Sequence, residues 1–173
     1  MRVISGKYKG KKLQGFNIEG TRPTMDRVKE SLFAMIQTEI PETKCLDLFA
    51  GSGSLGIEAI SMGAKSCYFI DNNIEAIKVL KENTKMIEED INIIHSDYKK
   101  FLHETKEKFD IIFLDPPYNN KMLNKALKCI EECQVLDKNG IIICEYVNEV
   151  PEANIPVIKE KNYGFKKIKI LKL

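Results

Sequence analysis

The stretch Cys45-Leu46-Asp47-Leu48-Phe49-Ala50-Gly51-Ser52-Gly53-Ser54-Leu55-Gly56 decides how the chain is read. An apolar run of strand length closes on glycines spaced as GxGxxG. A helical pattern, Ser54–Met62, follows until Gly63 stops it. Glycines at a strand-to-helix turn let backbone approach a ligand closely and leave the helix N-terminus facing it. The same glycines also make a tight turn with no ligand, so the loop alone is weak evidence. Asp71 ends the next apolar run, near the offset at which a carboxylate meets a ribose in dinucleotide sites. A NAD-dependent oxidoreductase is therefore one reading. Asp47 argues against it. A carboxylate in an apolar strand is costly unless it is paired, and a pyrophosphate brought to this helix end would be repelled by it. S-adenosylmethionine carries an ammonium and a sulfonium, which a carboxylate attracts.

Outward from this stretch, strand and helix signals alternate. Downstream, Ser66–Ile70 reads as a strand and Asn73–Lys85 as a charged amphipathic helix. Ile91–His95 and Asp110–Leu114 are strands separated by a short helix. Met122–Cys133 is a helix with Leu123, Ala126, Leu127 and Ile130 on one face. Gly140–Glu145 is a strand, and a terminal strand pair turns near Tyr163-Gly164. Upstream, residues 1–20 read as a hairpin with turns at Gly6, Gly10 and Gly15. Pro23 then breaks the chain, Thr24 caps a helix, and Val28, Leu32, Met35 and Ile36 share its face before Pro41. Nearly all-apolar strands alternating with helices imply a parallel sheet covered on both faces. The expected fold is α/β: a Rossmann-like, doubly wound, mostly parallel sheet with a basic N-terminal hairpin and helix. The whole chain, 1–173, reads as one domain, with residues 1–40 as extension and 41–173 as core.

The fourth strand ends in Asp115-Pro116-Pro117-Tyr118. Open α/β sheets bind ligands outside the carboxyl ends of their strands, so this tetrapeptide should face the glycine loop. Two prolines fix the backbone and remove two N–H donors, leaving carbonyls free. An amine held between the Asp115 carboxylate and the Pro116 carbonyl donates both protons and aims its lone pair in a third direction. Tyr118 offers a flat face for an unpaired base, a stacking contact worth about 1–3 kcal/mol. A proline-requiring turn explains one proline, but not the whole tetrapeptide.

Charge sharpens the picture. Among 173 residues the net charge is only +2 and 43% are hydrophobic, enough for one cored domain. Yet residues 1–29 carry Arg2, Lys7, Lys9, Lys11, Lys12, Arg22, Arg27 and Lys29 against Glu19 and Asp26, leaving the remainder acidic. Every arginine falls in this segment, and arginine's planar fork grips phosphate in two places. An RNA-binding face at Arg2, Lys7, Lys9, Lys11 and Lys12 is expected; an ordinary solvated basic surface is the plainer alternative. No apolar run is long enough for a membrane span, and the N-terminus lacks a signal-peptide core, so a cytoplasmic protein is expected. Cys129 and Cys133 are four apart on a helix, but neither His95 nor His103 is close in sequence to complete a metal site. Buried free thiols are the better reading, and no metal is expected.

With these motifs in place, the sequence resembles class I methyltransferases, and within them the RsmD-type bacterial 16S ribosomal RNA guanine-N2 methyltransferases. Arg2-Val3-Ile4-Ser5-Gly6, Lys9-Gly10-Lys11-Lys12-Leu13, and Thr21-Arg22-Pro23-Thr24-Met25-Asp26-Arg27-Val28-Lys29-Glu30 carry the resemblance, together with the glycine loop and Asp115–Tyr118. It implies S-adenosylmethionine as cofactor, with Asp47, Phe49, Gly51, Ser52 and Gly53 around its methionine part. Asp71 with Asn72 would hold the ribose, and Asp97 with Tyr98 the adenine; Asp97 also suits a helix cap. Arg22 and Thr24 should border cofactor or RNA, and Asp115, Pro116, Pro117 and Tyr118 form the catalytic motif. The partner implied is 16S rRNA or a small-subunit assembly particle, met by a monomer. An adenine-N6 methyltransferase on DNA or RNA uses the same amine clamp and stays open, as does a non-catalytic RNA-binding protein. The lysine-rich end, Phe165 to Leu173, departs from the family pattern and is expected to leave the reaction centre untouched.

Overall fold

A computed structural model describes residues 1–15, 23–118 and 121–173, apart from the side chains of residues 23 and 24. Its helices are α1 (Pro23–Ile36), α2 (Ser54–Ser61), α3 (Ile74–Asn83), α4 (Tyr98–Glu104) and α5 (Met122–Cys133). Its strands are β1 (Lys44–Asp47), β2 (Ser66–Asp71), β3 (Asp90–His95), β4 (Phe109–Leu114), β5 (Leu136–Tyr146), β6 (Val157–Tyr163) and β7 (Lys166–Lys172). The strands form one seven-stranded sheet in the order β3-β2-β1-β4-β5-β7-β6. Neighbours from β3 through β5 run parallel, while β7 pairs antiparallel with both β5 and β6.

Alternation within the apolar strands explains why both faces are covered. Cys45, Phe69, Ile111, Phe113, Ile141 and Ile143 join Leu32, Phe33, Ile57, Ile60 and Leu80 of α1, α2 and α3 in one core. Their neighbours Leu46, Ile70, Ile112, Leu114 and Ile142 join Phe101, Leu102, Leu123, Leu127 and Ile130 of α4 and α5 in the other. Each such side chain contributes about 1.5–3 kcal/mol on burial, so neither core survives a one-residue register slip. The chain steps from β1 out to β3, then returns to place β4 on the other side of β1. The connections therefore part above the carboxyl ends of β1 and β4, which opens a crevice there.

The N-terminal hairpin forms over residues 1–13. Arg2 bridges Lys12, the Val3 N–H donates to the Lys11 carbonyl at 2.9 Å, and Gly6 and Gly10 both take positive φ. This hairpin is docked onto α2. The Glu58 carboxylate, fully buried, accepts the N–H groups of Ile4 at 3.1 Å and Ser5 at 2.9 Å. Lys29 Nζ stands 3.1 Å from the same carboxylate and donates to the Arg2 carbonyl and the Ser54 hydroxyl. A buried ionised carboxylate is costly unless so paired and hydrogen-bonded. Among the described residues, no helix is long and apolar enough to cross a membrane.

Candidate active site

A cleft of about 500 Å³ opens at the carboxyl ends of β1, β2 and β4. After β1, Leu48, Phe49 and Gly51 line it; after β2 and β3 come Asp71, Asn72, Asn73, Ser96 and Tyr98. Asp115, Pro116, Pro117 and Tyr118 follow β4, and Met122 begins α5. The glycine loop is shaped by its own backbone. Gly51 sits at φ 54° and Gly53 at φ 84°, where L side chains are strained. A Cβ on Gly53 would also lie 2.2 Å from Leu80 Cδ1. Asp71 fastens the loop to the next strand. One carboxylate oxygen accepts the Gly51 N–H and the other the Asn73 N–H, both at 2.8 Å. Carboxylate oxygens have further lone pairs, so Asp71 can still receive hydroxyl donors from the cleft.

The electrostatics of the site are lopsided. Asp47 is buried, and its carboxylate accepts the Gly56 N–H at 3.1 Å. Burial pushes its carboxyl up to about 7 against that hydrogen bond, and the charges of Asp71 and Glu145 add to the push. Asp115 is likewise pushed up to about 7 by burial, then by Glu145 and Asp47, with Lys166 opposing. Lys166 comes from the first residue of β7. Burial pulls its ammonium down, but the carboxylates of Asp115 and Glu145 prevail and raise it. Its Nζ lies 2.5 Å from Glu145 Oε2, although that oxygen accepts no well-directed hydrogen bond, and 6.0 Å from the Tyr118 ring centroid. The Tyr118 side chain stays 43% exposed, leaving ring surface for a ligand. Burial lifts both carboxyls above their ordinary range, and neighbouring carboxylates lift them further. A cationic ligand would favour their ionised forms, and a pyrophosphate would add to the repulsion. The cleft also falls within the roughly 300–1,000 Å³ of small-molecule sites, so S-adenosylmethionine fits.

The sequence-predicted residues are only partly gathered here. Phe49, Gly51, Asp71, Asn72, Tyr98 and Asp115–Tyr118 share the cleft. Asp47, Ser52 and Gly53 belong to the supporting layer: Ser52 and Asp47 are buried, and the Ser52 carbonyl accepts from Asn83 Nδ2 at 2.9 Å. Asp97 caps α4, its carboxylate accepting the N–H groups of Lys99 at 2.9 Å and Lys100 at 3.3 Å. Arg22 and the side chain of Thr24 lie outside the described residues. Arg2, Lys9, Lys11 and Lys12 are exposed on the hairpin, whereas Lys7 pairs with Glu88 at 2.9 Å and Glu89 at 2.8 Å.

One expectation needs correction, and the fold adds to another. The C-terminal segment does reach the Asp115 motif: Lys166 stands in phase with buried Ile168 and Ile170, points inward, and acts by its charge on Asp115 and Glu145. That parity was the available signal for Lys166, while Glu145 looked like a strand end. The second concerns metal. His103, distant in sequence, is brought to 3.4 Å from Cys133 Sγ, so the cysteine pair does have a histidine beside it.

The family described as conserved hypothetical protein 95 matches residues 1–172. The chain belongs to this family. Its relatives include the Bacillus subtilis protein YlbH, 40% identical over 99% of this chain and 98% of its own. The Haemophilus influenzae ribosomal RNA small subunit methyltransferase D is 37% identical over 95% of this chain and 89% of its own. Among solved structures, Escherichia coli yhhF superposes with a TM-score of 0.89 at 28% identity, covering 99% of this chain and 97% of that one. The Rossmann-like fold and the membership expected from the motifs are thus both borne out.

Proposed function

We infer that this chain is an S-adenosylmethionine-dependent rRNA methyltransferase that modifies the exocyclic N2 of a guanine in small-subunit (16S) rRNA. The observation that carries the reading is that Asp115-Pro116-Pro117-Tyr118 lines one cleft with the Gly51 loop and Asp71. The family relatives named ribosomal RNA small subunit methyltransferase D support the substrate class. Gly51, Asp71, Asn72 and Tyr98 would hold the cofactor, with Asp47 supporting the loop from beneath. When bound, the cofactor supplies an electrophilic methyl group.

The remaining chemistry belongs to the chain. The Asp115 carboxylate and the Pro116 carbonyl accept the two N2 protons, which fixes the amine and leaves its lone pair pointing into the cleft. Orientation of this kind, with water excluded, is the main source of rate in such a transfer. Tyr118 stacks on the guanine from its exposed face. The amine is nearly non-basic, so no strong base is needed before attack. One N2 proton leaves afterwards to Asp115, whose raised proton affinity suits it to accept, or to water. Lys166 opposes that rise and so favours the charged form of Asp115 while substrate arrives. The protein would work in the cytoplasm as a monomer, on 16S rRNA or on a small-subunit assembly particle.

Labelled methyl transfer onto unmodified 16S rRNA, small subunits and DNA, followed by nucleoside identification, tests the reading. N2-methylguanosine is the expected product. N6-methyladenosine would overturn the base assignment, and absence of transfer to every substrate would overturn the activity.

A further inference from the structure

Away from the cleft, the last turn of α4 packs on α5 with three metal-ligating side chains in one place. Cys129 Sγ and Cys133 Sγ are 3.9 Å apart, one turn from each other on α5. His103 crosses from α4, with Nε2 3.8 Å from Cys129 Sγ and Nδ1 3.4 Å from Cys133 Sγ. One ligand atom from each residue lies within 4.8 Å of the others.

We propose that His103, Cys129 and Cys133 form a Zn2+ site that joins α4 to α5, with a solvent molecule as fourth ligand. The spacing suits the ion. With Zn–S bonds near 2.3 Å in a tetrahedron, two coordinating sulfurs stand about 3.8 Å apart. The Cys129–Cys133 separation already matches, so α5 needs no rearrangement. The imidazole is exposed; its two nitrogens face different sulfurs, so the ring must turn to aim one nitrogen at the point between them. Two thiolates and a neutral imidazole cancel the charge of Zn2+, which suits a seam where Cys129 is buried and Cys133 half-buried. Soft sulfur ligands favour Zn2+ over Mg2+ or Ca2+, which seek oxygen. The open side lies toward solvent, where His103 is exposed and water completes the tetrahedron. The consequence is mechanical. The N-terminal ends of these two helices carry Tyr98 and Met122 into the cleft, so the ion would lock together two helices that border it.

The test uses the full chain, stripped with a chelator and kept reduced with a phosphine. Cd2+ should give an ultraviolet thiolate-to-metal absorption that saturates at one ion per chain, and Zn2+ should displace it. Zn2+ at about a hundredfold over its Kd should raise the thermal midpoint by roughly 5–10 °C. His103→Asn changes an exposed residue and should fold normally, yet weaken Zn2+ binding at least ~10-fold. Cys133→Ser should halve the Cd2+ absorption. Absence of both absorption and midpoint shift in the parent overturns the site. So does a titration that neither substitution alters, which would place the ion on other groups.

Discussion

In the proposed transfer, Asp115 faces two opposed demands. It would have to be ionised to receive the amine protons, yet burial, Glu145 and Asp47 push it up to about 7. Asp47 shares the problem, also at about 7. A cationic ligand favours the ionised forms of both, so S-adenosylmethionine affinity should strengthen as pH rises through about 7 and level off above it. Calorimetric titration across pH 6 to 8.5, in two buffers of different ionisation enthalpy, checks this. A flat profile without proton release would mean that both carboxyls are already charged. Stability should run the other way. A carboxyl raised in the folded state stabilises below its unfolded value, 3.8, and loses that contribution as pH climbs to about 7. For Asp47 the loss amounts to at most ~4 kcal/mol in the unliganded protein. Lys166 is the counterweight. Lys166→Met should move the pH profile of methyl transfer to higher pH and destabilise the fold by about 3–5 kcal/mol, because Glu145 is left buried and unpaired. Rates across pH together with chemical denaturation read both effects; an unmoved pH profile would make Lys166 purely structural.

Among the elements, the Gly51 loop depends on Asp71, which ties it to the start of the β2–α3 connection through two backbone N–H groups. Asp71→Ala should weaken S-adenosylmethionine binding by roughly 1.5–3 kcal/mol. Unchanged affinity by calorimetry would show that the ribose is held elsewhere. This loop was legible in the sequence, as were the five parallel strands, because apolar residues on both faces leave few other folds for such runs. β5 was foreseen only from Gly140. It starts at Leu136, since Leu136 pairs with Phe109 across a register shift that absorbs polar Asp137, Lys138 and Asn139. Neighbour-by-neighbour polarity hides such a break. Lys166 was missed for a related reason: a lysine reads as solvent-facing until a carboxylate partner from another strand is known. His103 was invisible as a partner of Cys129 because only the packing of α4 on α5 joins them.

At the scale of the whole molecule, charge is sorted between the N-terminal hairpin and the acidic remainder. Lys7 spends its charge on Glu88 and Glu89, so the exposed Lys9, Lys11 and Lys12 are the better candidates for phosphate contact. Replacing these three with glutamine should flatten the slope of log RNA affinity against log salt by about 2–3 units and leave cofactor affinity unchanged. Identical slopes in parent and variant would move the RNA grip to another face. The anchoring of this hairpin also has a consequence for its birth. The backbone N–H groups of Ile4 and Ser5 find their acceptor on Glu58, and Lys7 N–H and Tyr8 N–H find theirs on Ser61. Synthesis at about 5–20 residues per second leaves roughly three to ten seconds between these residues and their receptor. During that interval a bare cationic arm, with no seat to occupy, emerges beside the polyanionic surface of the ribosome that is making it.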